Sequence, residues 1–181
     1  MKHITSKMVL LAMMVMLPAL MLSAQAKLPR PLPEVKAMEI WAGNWILTGT
    51  AKDGPNDKEY PLIWRMHGRW MLRGFIVQID HESVGNATAI KYLEVMNFNP
   101  SKKSYISTGY GNDGSSWISI LTYKGDICLE NGNITLPDGK IISFRSTWTF
   151  SSDHLSVIGS QECEQDGSKW IGYKIKGSKT Q

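Results

Sequence analysis

The chain contains only two cysteines, Cys128 and Cys163, so a dense disulfide scaffold is excluded. No apolar run reaches the roughly 20 residues that a membrane-spanning helix needs; the longest, residues 8–22, is interrupted by Pro18. Charge of one sign is also scarce. The formal net charge is +4, and residues 1–26 hold Lys2 and Lys7 but no acidic residue, which leaves +2 for the rest. The remaining basic residues are scattered along the chain. A groove that tracks a phosphate backbone needs them concentrated, so no nucleic-acid partner is expected. Nor is there a helical pattern long enough to cross over between parallel strands, which excludes a parallel α/β fold.

What is present at the N-terminus has the form of a targeting segment. Lys2 and Lys7 supply a positive region, residues 8–22 the short apolar stretch, and Ala24-Gln25-Ala26 a small-residue cleavage site. A cleaved secretory signal is predicted over residues 1–26, with cleavage after Ala26 and an uncleaved anchor as its rival. The mature protein is expected to be periplasmic or secreted, with no stable membrane insertion. No cysteine follows the apolar run to carry a lipid. Six of the ten methionines (1, 8, 13, 14, 16 and 21) fall in this segment, so a Met-rich surface is not inferred. Removing it leaves roughly 155 residues, enough for one domain that buries about two-thirds of its unfolded surface.

Residues 27–36 place Pro29, Pro31 and Pro33 at alternate positions, which blocks both helix and central strand and predicts an extended leader. Residues 35–41 suit a short helical turn against one end of the domain that follows, residues 37–178. From Gly43 onward the apolar residues alternate. Leu62, Trp64 and Met66 share one face while Arg65, His67 and Arg69 share the other. Ile142, Phe144, Ser146, Trp148 and Phe150 likewise oppose Ser143, Arg145, Thr147 and Thr149. Further strands are predicted at 45–51, 71–80, 90–98, 104–110, 116–123, 127–130, 155–162 and 169–176. Between them stand turn formers: Asp53-Gly54-Pro55, Asn99-Pro100, Asn112-Asp113-Gly114, Asn131-Gly132, Pro137-Asp138-Gly139 and Asp166-Gly167. Short turns favour an all-β, up-and-down barrel of about 8–10 antiparallel strands over a sandwich.

Chemistry-bearing constellations are sparse. His67, His81 and His154 show no metal-ligand spacing, so no metal is expected. Asp80, His81 and Glu82 read as a solvated turn at a strand end, and His154 as part of the turn that begins at Ser151. No serine lies in a nucleophile elbow, and Gly109, Gly111 and Gly114 open no helix that could cradle phosphate. No catalytic residue or cofactor is assigned; an enzyme would need a polar pocket with coupled groups such as His67 and Glu94. The sequons Asn86-Ala87-Thr88 and Asn133-Ile134-Thr135 are placed in surface turns. Cys128 and Cys163 form either a disulfide or two half-buried thiols. Strands holding them would be separated by a neighbour, and Cα atoms beyond about 7 Å cannot be bridged.

Two clusters carry a resemblance. Gly43-x-Trp45 at the start of the first strand resembles the opening of lipocalins and the wider calycin group, with Lys174 and Lys176 as cations available to lie over the indole. More specific are Asn97-Phe98-Asn99-Pro100-Ser101-Lys102-Lys103-Ser104-Tyr105, then Asn112-Asp113-Gly114-Ser115-Ser116-Trp117, Phe144-Arg145-Ser146-Thr147-Trp148-Thr149-Phe150-Ser151 and Asp166-Gly167-Ser168-Lys169-Trp170. Together they resemble an exported, lipocalin-like bacterial family catalogued as domain of unknown function 1579, over roughly residues 37–176. Where that family often has Tyr-Asp, this chain has Phe98-Asn99. The resemblance implies fold and export and carries no activity.

The sequence therefore points to a barrel that holds a small apolar or amphipathic ligand, with Trp64, Met66, Phe144 and Trp148 as wall residues if the apolar faces turn inward. If the polar faces do, Arg65, His67, Arg73 and Arg145 converge inside to clamp a ligand carboxylate. The alternative is a structural or interaction protein with a filled barrel and no ligand.

Overall fold

Residues 28–84 and 89–180 are described in the computed structural model, so the predicted signal segment and the sequon at Asn86 lie outside the described residues. Ten strands follow one another as β1 (Gly43–Ala51), β2 (Tyr60–Met71), β3 (Ile76–Val84), β4 (Ile90–Asn99), β5 (Ser104–Gly111), β6 (Ser116–Lys124), β7 (Ile127–Thr135), β8 (Ile141–Phe150), β9 (Ser156–Gln165) and β10 (Ser168–Thr180). Each pairs antiparallel with its neighbours in sequence, and β1 pairs with β10 to close the ring. The result is the predicted up-and-down barrel, with no free sheet margin.

The apolar faces turn inward. Leu62 and Met66 on β2, and Ile142, Phe144, Trp148 and Phe150 on β8, are buried, while Arg65, His67, Arg69 and Arg145 are exposed. Strict alternation breaks once in the last strand. Register shifts between Ile171 and Tyr173 on β10, so that Trp170, Gly172 and Tyr173 are all buried. A bulge of this kind re-aims side chains, and here it brings Tyr173 and Ile175 into the core facing β1.

A 3₁₀ helix, Pro33–Trp41, closes one end of the ring. It begins two residues before the predicted turn. Pro33 at its start has no N–H that the helix would need, so proline opens the element rather than extending the leader. Val35, Met38 and Trp41 are buried from this helix. The Trp41 ring lies 5.2 Å from Trp148 and 5.0 Å from Phe150, both edge to face, and its Nε1 donates to Tyr123 Oη at 3.0 Å. Tyr105 Oη ties the helix start to the barrel by donating to the Glu34 carbonyl at 2.8 Å. Edge-to-face pairs add about 0.5–1.5 kcal/mol each beyond area burial, so the Trp41 indole adds to the anchoring that buried Val35 and Met38 supply.

Several local expectations are corrected. Asn131-Gly132 does not turn the chain but continues β7, which pairs with β6 and β8 along its whole length. Ladder bonds on both sides outweigh the local turn preference, and Asn131 Oδ1 is taken up by Arg145 Nε at 3.0 Å. The chain leaves β7 only at the predicted Pro137-Asp138-Gly139 turn, where Gly139 has φ 84°. For the same reason Asn133 lies on a strand, not in a turn. The predicted strand 71–80 is split by a 3₁₀ turn, Leu72–Gly74, where Leu72 and Arg73 have φ 48° and 62°. The cation over Trp45 is Lys179, 5.2 Å from the ring centroid, not Lys174 or Lys176, because β10 runs on to Thr180 and pairs Lys179 with Trp45. Cys128 on β7 and Cys163 on β9 are separate thiols with β8 between them.

Candidate ligand-binding cavity

Inside the ring lies a cavity of about 420 Å³. Its floor is Trp41, and it runs toward the opposite end, where Lys52, Asp53, Asp113, Ser115 and Leu136 border it. Trp64, Met66, Phe144 and Trp148 are all in its wall, as the inward reading of the apolar faces requires. Arg73 and Arg145 are not. Arg73 sits in the β2–β3 turn at the closed end, exposed, and Arg145 alternates with Phe144 and so faces outward. No arginine clamp for a carboxylate is assembled.

Two glycines make room for the wall indoles. A Cβ on Gly109 would fall 2.0 Å from the Trp117 ring, and one on Gly159 would fall 2.5 Å from the Trp148 ring. Each glycine is the cross-strand partner of the indole it underlies. Trp64, Trp148 and Tyr173 then cluster, with Tyr173 5.4 Å from Trp64 and 5.6 Å from Trp148 between ring centroids.

Sequence reasoning missed the polar part of the wall. His81 does not stand in a solvated turn but in β3, with 7% of its surface exposed. Val77, Ile79 and His81 share the inward face, while Asp80 and Glu82 point out to Arg69 at 2.9 Å and Arg65 at 3.1 Å. Continuing the Val77–Ile79 alternation by one step was the signal that placed it. His81 Nε2 is 2.7 Å from Glu94 Oε2. The other Glu94 oxygen accepts from Ser107 Oγ at 2.5 Å, and Ser107 Oγ accepts in turn from Trp117 Nε1 at 3.3 Å. Glu94 is therefore paired with His81 and not with His67. His67 lies outside, against Asn44 Oδ1 at 2.6 Å.

A second buried carboxylate faces the cavity from β7. Glu130 accepts from Ser119 Oγ at 2.6 Å and from Trp148 Nε1 at 3.5 Å. Burial, aided by the Glu94 carboxylate, pushes it from its ordinary value of 4.5 up to about 7. Burial likewise raises the Tyr173 hydroxyl and the Cys128 thiol, and brings the Cys163 thiol up to about 11. Neither cysteine is therefore an activated thiolate. Among the described residues three buried side-chain nitrogens have no partner: Trp45 Nε1 at the closed end, and Trp64 Nε1 and His81 Nδ1 in the cavity wall. A buried polar group without a bond costs about 1–3 kcal/mol.

No family model and no curated protein matches the chain by sequence. Among solved structures it is similar to Rv2717c from M. tuberculosis, with a TM-score of 0.65 and 11% identity, over 83% of this chain and 99% of that one. At that identity the likeness speaks for architecture alone, and the architecture shared is a closed antiparallel barrel of lipocalin-like type.

Proposed function

We propose that the protein is an exported, non-enzymatic binding protein that holds one small apolar or amphipathic molecule inside its barrel. The observation that supports this most directly is the cavity itself. Its volume of about 420 Å³ falls in the range of roughly 300–1,000 Å³ occupied by small-molecule sites, which are mostly apolar with a few placed polar groups. The wall has this composition: Trp64, Met66, Phe144 and Trp148 supply apolar surface, and His81, Glu94 and Glu130 supply the polar points. A barrel with a solid interior would leave no such space. The export half of the reading is supported by Lys2, Lys7, the apolar stretch at 8–22 and Ala24-Gln25-Ala26.

Native mass spectrometry of the protein purified from its own source tests both halves. The expected species is a chain beginning at Lys27 with one small molecule bound. In parallel, the neutral dye Nile red is expected to bind saturably at one site and to be displaced by 1-decanol. A flat dye titration on a ligand-free chain overturns the binding reading, and a chain that still begins at Met1 overturns the signal reading.

A further inference from the structure

The charge inside the cavity is one-sided. Glu94 has His81 for a partner, but Glu130 has no cation against it among the described residues, only the Ser119 hydroxyl and the Trp148 indole. Among the described residues the one lysine or arginine in the wall is Lys52, past the end of β1 at the mouth, where its Nζ donates to the Pro55 carbonyl at 2.6 Å. Two more carboxylates, Asp53 and Asp113, border the same mouth. A buried carboxylate without a counter-ion is costly, and it relaxes either by taking a proton or by receiving a positive charge.

From this arrangement we infer that the ligand is an amphipathic amine, with its ammonium head against Glu130 and its apolar body among the wall tryptophans. The inference rests on the binding-protein reading above and names the class of molecule. Three further features favour it. First, a ligand with a carboxylate head would bring another negative charge into a wall that offers no free cation. Second, Glu130 adjoins the cluster of Trp64, Trp148 and Tyr173, and ring faces attract an ammonium as well as apolar carbon. Third, His81 Nδ1 is buried in the cavity wall without a partner. When Nε2 carries the hydrogen that Glu94 accepts, Nδ1 holds a lone pair and is an acceptor, which suits an N–H donor and not a carboxylate.

Burial holds Glu130 protonated up to about pH 7, so an arriving ammonium displaces its proton to solvent and leaves an ion pair in place of a neutral acid. The other groups around it are Glu94 on β4 with His81 behind it, Tyr173 on β10 with Cys163 beyond, and Cys128 on its own strand. Tyr173 and both thiols are held neutral through the range in which Glu130 ionises.

Displacement of Nile red by decylamine, 1-decanol and decanoate tests the inference, since the three share one apolar tail and differ in the head. Decylamine is expected to displace the dye at about tenfold lower concentration than 1-decanol at neutral pH, with decanoate the weakest. The ratio of the displacing concentration of 1-decanol to that of decylamine is expected to rise from about pH 5.5 to about pH 8 as Glu130 gives up its proton. In Glu130→Gln that ratio is expected to fall toward one while 1-decanol still displaces. Equal displacement by amine and alcohol, or strongest displacement by decanoate, overturns the inference and leaves the binding reading standing. Failure of the dye and of all three probes removes both. Should Glu130→Gln not fold, the pH series on the unaltered protein decides alone, and a ratio that stays flat across it overturns the assignment.

Discussion

At the end closed by the 3₁₀ helix, Trp41, Trp45 and Phe150 meet edge to face, and the inward positions there are apolar. Toward the other end, inward faces of the same ring carry His81, Glu94 and Glu130 around a void. Both halves obey one alternation rule and share one ladder of hydrogen bonds. What separates them is whether the inward side chains complete one another. Aromatic rings fill space without needing partners, whereas a carboxylate keeps its neighbours at hydrogen-bond distance and leaves room beside them. The void is thus bordered by these polar groups together with the apolar Ile142, Phe144 and Trp170.

The largest expected effect breaks the closed half. Trp41→Ala removes the plug, its contacts with Trp148 and Phe150, and the bond to Tyr123, and is expected to cost about 3–5 kcal/mol, read as a lowered midpoint in urea unfolding. An unchanged midpoint would mean that the helix does not close the barrel in solution.

The next effect belongs to the open half. Because Glu130 is raised from 4.5 to about 7, the folded protein holds that proton more tightly than the unfolded chain does. Its contribution is therefore harmless below about pH 4.5, and stability is lost as the pH rises from there through about 7. The loss is expected to be on the order of 3 kcal/mol and to vanish from the difference curve of Glu130→Gln, measured by urea unfolding at a series of pH values. Parallel curves for the two proteins would place Glu130 in water.

The smallest effect sharpens the border between inside and outside. Arg145→Ala gives up only an exposed bond to Asn131; it is expected to change stability by less than about 0.5 kcal/mol and to leave Nile red binding untouched. A clear loss of dye binding would put Arg145 back in the cavity.

Architecture was largely legible before any coordinates. Period-two runs such as Ile142 to Phe150, and glycine-bearing turns such as Asp166-Gly167, were local signals of strands and hairpins. The apolar wall residues Trp64, Met66, Phe144 and Trp148 followed once apolar faces were taken to point inward. The polar wall was not legible, because burial of a charged side chain depends on a partner from another strand. The alternation of Val77 and Ile79 aims His81 inward, but nothing near it in sequence announces Glu94, thirteen residues away, as the partner it meets there. Asn131-Gly132 misled for the opposite reason, since its local signal was strong but the pairing that overrode it comes from β6 and β8. Arg145 lay beyond a decision that sequence left open, namely which face of each strand is the inner one, and Arg73 was misplaced because the turn at Leu72–Gly74 was read as strand.

Closure of the ring by β1 and β10 has a bearing on how the chain reaches its native state. Every other pairing joins strands adjacent in sequence, so hairpins can accrete one after another at little entropic cost. The final seam joins Asn44 to Thr180, nearly the two termini of the barrel. Until it forms, β1 presents a bare row of backbone donors and acceptors on which a second unfinished molecule could dock. Self-association during refolding should therefore be governed by the completeness of β10 more than by that of any other strand.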